Sequence, residues 1–218
     1  MTNDERELLA RCVEIGTSTW SDAMDACGID GVIRGLTRRS GQGRFAGYAV
    51  TARETAGVRG QFQRNAFGVG EIIGAVGPGQ VLMVDMAGAD ISTFGGLAAL
   101  ATAKRGAVAV VIDGGCRDID EMMVSGLWLA SRHVTPTTGK TRLKLEGINQ
   151  PVKLGGIAVA PGDIVVGDDT GIVVIPRKEA ERVMAEADRM LVIDHQMEQA
   201  IGSGASFKDA ASDANYIR

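Results

Sequence analysis

The chain has 218 residues, 45% of them hydrophobic and 23% charged, with a formal net charge of −4 and 30 glycines against 4% aromatic residues. This length and apolar content suit one compact domain, and the acidic balance gives no reason to expect an electrostatic nucleic-acid partner, since phosphate binding needs clustered excess lysine and arginine. Three widely spaced cysteines, Cys12, Cys27 and Cys116, fit neither a disulfide framework nor a zinc site, and no apolar run reaches the roughly 18 residues of a membrane span. The expectation is a cytoplasmic protein with no nucleic-acid and no membrane partner.

Residues 4–15 carry Leu8, Leu9, Cys12, Val13 and Ile15 at helical spacing. A second helical pattern, residues 20–27, follows the potential capping hydroxyls Thr17, Ser18 and Thr19 and ends at Gly28. The basic run 34–44, broken by glycines, reads as a solvated loop, and residues 43–52 alternate small and apolar side chains like a strand. Residues 55–68 suggest a loop and part of a helix leading into Glu71-Ile72-Ile73. The turn Gly77-Pro78-Gly79-Gln80 launches an apolar strand, 81–85, followed by a glycine-rich loop, 87–96, and a helix, 97–104, stopped by Gly106. A second apolar strand, 108–112, runs into the polar loop 113–118. This order is a βαβ unit, with parallel strands whose carboxyl ends are where ligands bind.

A helix is expected from Ile119, a short strand at 127–132, and a polar loop over 136–148. Four short strands follow, at 152–154, 157–159, 164–166 and 172–175, the last pair joined by the turn Asp168-Asp169-Thr170-Gly171. Residues 178–197 form an amphipathic helix, and the tail from Gly202 is small and polar.

Polar chemistry concentrates in Asp113-Gly114-Gly115-Cys116-Arg117-Asp118 and the neighbouring Asp120 and Glu121. An arginine at a strand end can clamp a carboxylate, and the adjacent aspartate is a hard oxygen ligand for Mg²⁺ or Mn²⁺. A local Arg117–Asp118 ion pair tying a loop fits the same two residues equally well. Phe94-Gly95-Gly96-Leu97-Ala98 opens the preceding helix, where free N–H groups bind anions, although glycine pairs also occur at ordinary loop-to-helix junctions. His133 and His195 have no partner at ligand spacing, and Cys116 reads as a small buried residue.

Gly96 and Arg117 are separated by 20 residues, and Glu121 follows Arg117-Asp118 after two more. This resembles the G-X20-R-D-X2-E/D pattern of the RraA-like family, which includes 4-hydroxy-4-methyl-2-oxoglutarate/4-carboxy-4-hydroxy-2-oxoadipate aldolases, oxaloacetate decarboxylases and the regulator of ribonuclease E activity. The likeness extends through GYAVT (47–51), PGQV (78–81), AKRG (103–106), VIDG (111–114), PGDIV (161–165) and DDTG (168–171), covering roughly residues 17–177.

The resemblance implies an α/β fold, a single-domain αββα sandwich of the swivelling β/β/α type over residues 17–177. An N-terminal helix lies in 1–16, and a C-terminal helix and tail, 178–218, are available for subunit contact. It implies homotrimers or homohexamers with active sites in clefts between subunits. The backbone of Gly95, Gly96, Leu97 and Ala98 is expected to hold a pyruvate carboxylate, Arg117 to contact its oxygens as the catalytic cation, and Asp118 to bind the divalent metal, Mg²⁺ or Mn²⁺. The implied activity is metal-dependent carbon–carbon lyase action on a small 2-keto acid. A non-catalytic protein-binding regulator and an enzyme for another hydroxy or sugar acid are the competing readings. One departure is that aldolase members often carry an acidic residue where this chain has Gly96; Asp85, Asp113 and Glu121 are the local candidates to replace it.

Overall fold

The computed structural model describes residues 1–216. Helix α1 (Asn3–Glu14) starts in a capping box: the Thr2 hydroxyl accepts from the Glu5 N–H, and the Glu5 carboxylate accepts from the Thr2 N–H. Helix α2 (Thr17–Ala26) starts three residues before the expected segment, so Thr17, Ser18 and Thr19 lie inside it. Its cap comes from far along the chain. The Asp168 carboxylate accepts from the Thr17 N–H at 2.9 Å and from the Thr17 hydroxyl at 2.7 Å.

Strands β1 (Val32–Ile33), β2 (Thr37–Ser40) and β3 (Phe45–Ala56) follow, then helix α3 (Val69–Ala75), strand β4 (Gln80–Phe94), helix α4 (Gly96–Lys104), strand β5 (Ala109–Cys116), helix α5 (Ile119–Ser125) and strand β6 (Trp128–Val134). The remaining elements are β7 (Leu143–Ile148), β8 (Val152–Leu154), β9 (Ile157–Val159), β10 (Ile164–Gly167), β11 (Ile172–Ile175), α6 (Ala180–Gly202) and α7 (Phe207–Asp213).

One nine-stranded sheet runs β1-β11-β10-β3-β4-β5-β6-β2, with β7 also paired to β3, and β8–β9 form a separate hairpin. The steps β3–β4, β4–β5 and β5–β6 are parallel, each crossed by one of α3, α4 and α5, as the βαβ reading requires. Period-2 alternation sorts the strand residues into layers. Val50, Ala52, Leu82, Val84, Val110, Ile112 and Leu129 face the cluster closed by α3, α4 and α5. Ala46, Tyr48, Ile164, Val166, Val173 and Ile175 face α1, α2 and α6.

The opposite face brings Ile172 and Val174 of β11 together with Trp128 and Ala130 of β6, strands from distant places in the sheet order. The sheet therefore curls until its halves face one another across an inner core plugged by Val152, Leu154, Ile157 and Val159 of the β8–β9 hairpin. Phe45 and Trp128 meet edge to face there, centroids 4.5 Å apart. Helices, sheet half, sheet half and helices make the αββα order that the resemblance implies.

The structure corrects several local expectations. The loop expected at 87–96 is mostly strand, because β4 continues to Phe94 through register shifts after Asp85, Ala89 and Ser92. Likewise β5 carries Asp113–Cys116 within the sheet. The polar segment 136–148 contains β7, which pairs antiparallel with the exposed end of β3, and the basic run 34–44 contains edge strand β2. The tail from Gly202 includes α7, packed through Ala210 and Ala211 onto Met197. No helix among the described residues is long and apolar enough to cross a membrane.

Candidate active site

Two chain reversals at the carboxyl ends of β4 and β5 build the site. At the first, β4 stops at Phe94 and α4 starts at Gly96 with Gly95 as an N-cap that makes no side-chain hydrogen bond. The first-turn N–H groups are left without a side-chain acceptor of the usual kind. The Gly96 N–H goes to Asp118 Oδ2 at 3.2 Å, while those of Leu97 and Ala98 find no acceptor among the described residues. This helix end therefore has two donors free, the arrangement that anion binding at a helix N-terminus requires.

At the second reversal, the Arg117 N–H donates to the Phe94 carbonyl at 2.9 Å and ties the two strand ends together. Asp118 then takes a left-handed conformation, φ 58° and ψ 48°, before α5 begins. A non-glycine residue held there costs on the order of 1 kcal/mol or more, and such strain concentrates at functional sites. Arg117 Nε lies 3.4 Å from Asp118 Oδ2, so the local ion pair considered from sequence does form. Both side chains nevertheless keep more than a third of their surface, and both line a cavity of about 470 Å³.

That cavity is also lined by Gly95, Leu97, Ala98 and Glu121, by Ser92 and Thr93 of β4, by Phe67 and Val69, and by Thr138 and Lys140 of the 136–148 segment. Gly96 is not in its wall. A Cβ built on Gly96 would lie 1.9 Å from Glu121 Oε2, so the Glu121 carboxylate occupies the space that a side chain at 96 would fill. A Cβ on Gly95 would lie 2.5 Å from Asp118 Oδ2. The glycine pair thus admits two carboxylates from α5 and its cap against the open end of α4.

Of the three acids weighed as replacements at position 96, Glu121 alone lines this cavity. Asp113 accepts from Arg132 Nε at 2.6 Å and from the Gly155 N–H at 2.7 Å. Asp85 accepts from the Ala87 and Lys153 N–H groups. Both hold the hairpin and its surroundings. His133 Nε2 lies 3.0 Å from the Gly88 carbonyl, and His195 pairs with Gln199 on α6. Burial pushes the Cys116 thiol up, opposed by its contact with Ser131.

The sequence reading missed Thr93, Lys140 and, behind Thr93, Glu54. Glu54 is 3% exposed, and burial raises its carboxyl to about 7, with Thr93 opposing the shift. A signal for it was present: Val50, Ala52 and Glu54 alternate onto one face of β3, so period 2 carries a carboxyl into the apolar layer.

Comparison with known proteins places this geometry in a family. A profile described as RraA-like: Aldolase/RraA matches residues 17–174. The chain is 25% identical over 214 residues, 96% of its length, to Protein DlpA of Legionella pneumophila, but spans 34% of that protein. It is 31% identical over 137 residues to the 4-hydroxy-4-methyl-2-oxoglutarate aldolase of Thermus thermophilus, covering 62% of this chain and 78% of that one. The crystal structure of an uncharacterized protein from Pseudomonas syringae pv. tomato matches with a TM-score of 0.83 at 28% identity, covering 94% of this chain and 96% of that one. The strand-end Arg117-Asp118 pair, the uncapped glycine turn beside it and the matched span of residues 17–174 lead to one assignment: the chain belongs to the RraA-like family.

Proposed function

We propose that the protein is a divalent-cation-dependent carbon–carbon lyase for small 2-keto acids. It would release pyruvate by aldol cleavage of 4-hydroxy-4-methyl-2-oxoglutarate-type substrates, by decarboxylation of oxaloacetate, or both. The observation that carries this reading is the convergence of Arg117, Asp118 and the open N-terminus of α4 on one cavity. The name of the Thermus relative agrees with it.

Each group has a chemical task in this reading. The free N–H groups of Leu97 and Ala98 hold the carboxylate of the keto acid, and Arg117 reaches its oxygens with a planar, permanently charged fork. As the carbon–carbon bond breaks, negative charge moves onto the keto oxygen, and Arg117 shares it, favouring the transition state over the ground state. Lys140 lines the same cavity and suits a second carboxylate, which both proposed substrates carry.

No group of three or more His, Cys, Asp or Glu side chains able to hold a metal ion occurs among the described residues. The donor set still fits Mg²⁺ or Mn²⁺ through Asp118, with Glu121 beside it, because such hard cations are held by one or two carboxylates together with substrate oxygens and water. When bound, the cation supplies Lewis acidity at the keto oxygen. The Asp118 carboxylate, already aimed at the α4 terminus through the Gly96 N–H, is the ligand we assign.

We further propose that the active form is a homotrimer or homohexamer. Leu97 is 81% exposed and Val124 90% exposed on α4 and α5, which pack against each other beside the cavity. Large apolar side chains so placed suit a subunit interface.

The test is pyruvate release from oxaloacetate and from 4-hydroxy-4-methyl-2-oxoglutarate, with Mg²⁺ or Mn²⁺ and with EDTA. Metal-dependent turnover is expected, falling about 100-fold or more in Arg117→Ala with little change in thermal stability. Turnover no higher than the free-metal background would move the chain to a binding role or to another acid substrate. Unfolding of the variant would instead identify Arg117–Asp118 as a structural ion pair.

A further inference from the structure

We propose that Thr141 is a positioning residue: its strained turn fixes Lys140 at the cavity wall, so that the site selects 2-keto acids carrying a second carboxylate. The proposal rests on the keto-acid reading above and deepens it, adding what sorts one keto acid from another.

Residues 138–142 turn the chain into β7, and their backbone is pinned on both sides. On the inner side, the Thr137 carbonyl accepts from the Ser92 N–H at 2.8 Å, and the Gly139 carbonyl accepts from the Arg142 and Leu143 N–H groups, each at 2.8 Å. Gly139 is buried so tightly that an added Cβ would lie 2.6 Å from Phe67 Cε2 and 2.8 Å from the Ser92 carbonyl oxygen. On the outer side, the strap 57–62, which leaves the end of β3, is bonded to the turn. The Gly57 N–H donates to the Arg142 carbonyl at 2.8 Å, the Phe62 N–H to the Thr141 carbonyl at 3.2 Å, and the Gly60 N–H to Thr141 Oγ1 at 3.2 Å.

Thr141 sits at φ 64°, a left-handed conformation that β-branched residues rarely adopt and that glycine takes without strain. Glycine would turn the chain here as well. What threonine adds is the hydroxyl that holds the strap. Thr141 lines no part of the cavity, whereas its neighbours Thr138 and Lys140 do. Strain kept beside a site and offset by specific hydrogen bonds marks preorganisation.

Lys140 is what the turn presents. Its N–H donates to Thr138 Oγ1 at 3.3 Å, while its amine enters no ion pair or hydrogen bond among the described residues. A lysine amine is a compact charge on a long flexible stem, and ordering that stem weakens binding least when the backbone beneath it is already fixed. Arg117 and Lys140 are the two cations of the cavity wall. With Arg117 and the α4 terminus taking the keto-acid head, Lys140 is left for a carboxylate at the far end of the substrate.

Calorimetry in the presence of Mg²⁺ tests the proposal on two probes: oxalate, which fills the head of the site alone, and 2-oxoglutarate, which adds a distal carboxylate. Lys140→Met is expected to weaken 2-oxoglutarate binding about tenfold and to leave that of oxalate within about twofold. Thr141→Gly relieves the strain and removes the hydroxyl, so it should show the same selective loss without a lower melting temperature. Thr141→Ser should keep wild-type affinity for both probes. Because Thr141 acts through Lys140, the double variant should bind 2-oxoglutarate no more weakly than Lys140→Met alone.

A Thr141→Gly protein that loses both probes alike would mark a structural role, and one that keeps 2-oxoglutarate within about twofold would show that Lys140 needs no positioning. Either result overturns the proposal. So do an unchanged 2-oxoglutarate affinity in Lys140→Met and additive losses in the double variant. Wild type that binds oxalate but not 2-oxoglutarate overturns it while leaving the lyase reading intact. Wild type that binds neither removes the keto-acid reading, and the proposal with it.

Discussion

Glu54 makes a stability prediction that does not depend on catalysis. Its carboxyl lies near the ordinary 4.5 in the unfolded chain and is pushed up to about 7 in the folded one. Between those values the folded state binds more protons than the unfolded state, so stability falls as pH rises through the window. The loss approaches about 3 kcal/mol once Glu54 ionises in place. Glu54→Gln, which cannot ionise, is therefore expected to melt increasingly above wild type as pH rises from about 5 to about 8. A melting difference that stays constant over that window would place the Glu54 carboxyl in a hydrated setting.

Gly95 makes the opposite kind of prediction. Its backbone is extended, φ −134°, so alanine has no conformational objection to it, but an added Cβ would lie 2.5 Å from Asp118 Oδ2 and 3.1 Å from Arg117 Nε. Gly95→Ala should cost at least tenfold in turnover for less than about 1 kcal/mol of stability. Equal losses in both would deny the site its dependence on that gap. Arg117, Asp118 and the glycine pair were legible in the sequence because local motifs announce them. Thr93 and Lys140 were not, since only the shifted end of β4 and its contact with the 136–148 segment bring them to the cavity.

Elements were read well where their burial pattern is self-contained and poorly where a distant strand decides their state. The apolar runs of β4 and β5 and the four short strands after residue 151 stand where their patterning puts them. β7 does not announce itself, because its burial alternates only partly and it becomes a strand by pairing with the overhanging end of β3. The carboxyl ends of β4 and β5 looked like loops for a related reason: glycines and aspartates there continue the sheet while admitting the β8–β9 hairpin.

Asp113 shows how firmly that hairpin is held. It is 6% exposed and satisfies both Arg132 and the Gly155 N–H. Asp113→Ala leaves a half-buried guanidinium and a backbone N–H unpaired, and should cost about 3 kcal/mol in denaturant unfolding. A loss below about 1 kcal/mol would show that water replaces the carboxylate and that the hairpin is held by its apolar side chains alone.

At the scale of the whole molecule, the exposed side chains of α4 and α5 matter more than the core. The curled sheet buries its apolar layers on both faces, yet Val124 and Met123 on α5 and Leu97 and Leu100 on α4 remain outside. These are the helices whose ends build the cavity, so a second copy docking on them would bury this face and narrow the cavity mouth together. Val124 lines no part of the cavity and makes no polar contact, which separates assembly from chemistry. In an isolated subunit, Val124→Asp exchanges one fully exposed side chain for another and should shift stability by less than about 0.5 kcal/mol. In an assembly it drives a carboxylate into an apolar contact, at a cost of several kcal/mol for each copy left unpaired. Light scattering coupled to size exclusion is therefore expected to report a trimer or hexamer for wild type and smaller species for Val124→Asp, with pyruvate release falling in step. Should wild type run as a single subunit, the apolar face would be left for a different protein. Should the variant dissociate but keep full turnover, each subunit would carry a complete site, with the neighbour contributing stability but no part of the chemistry.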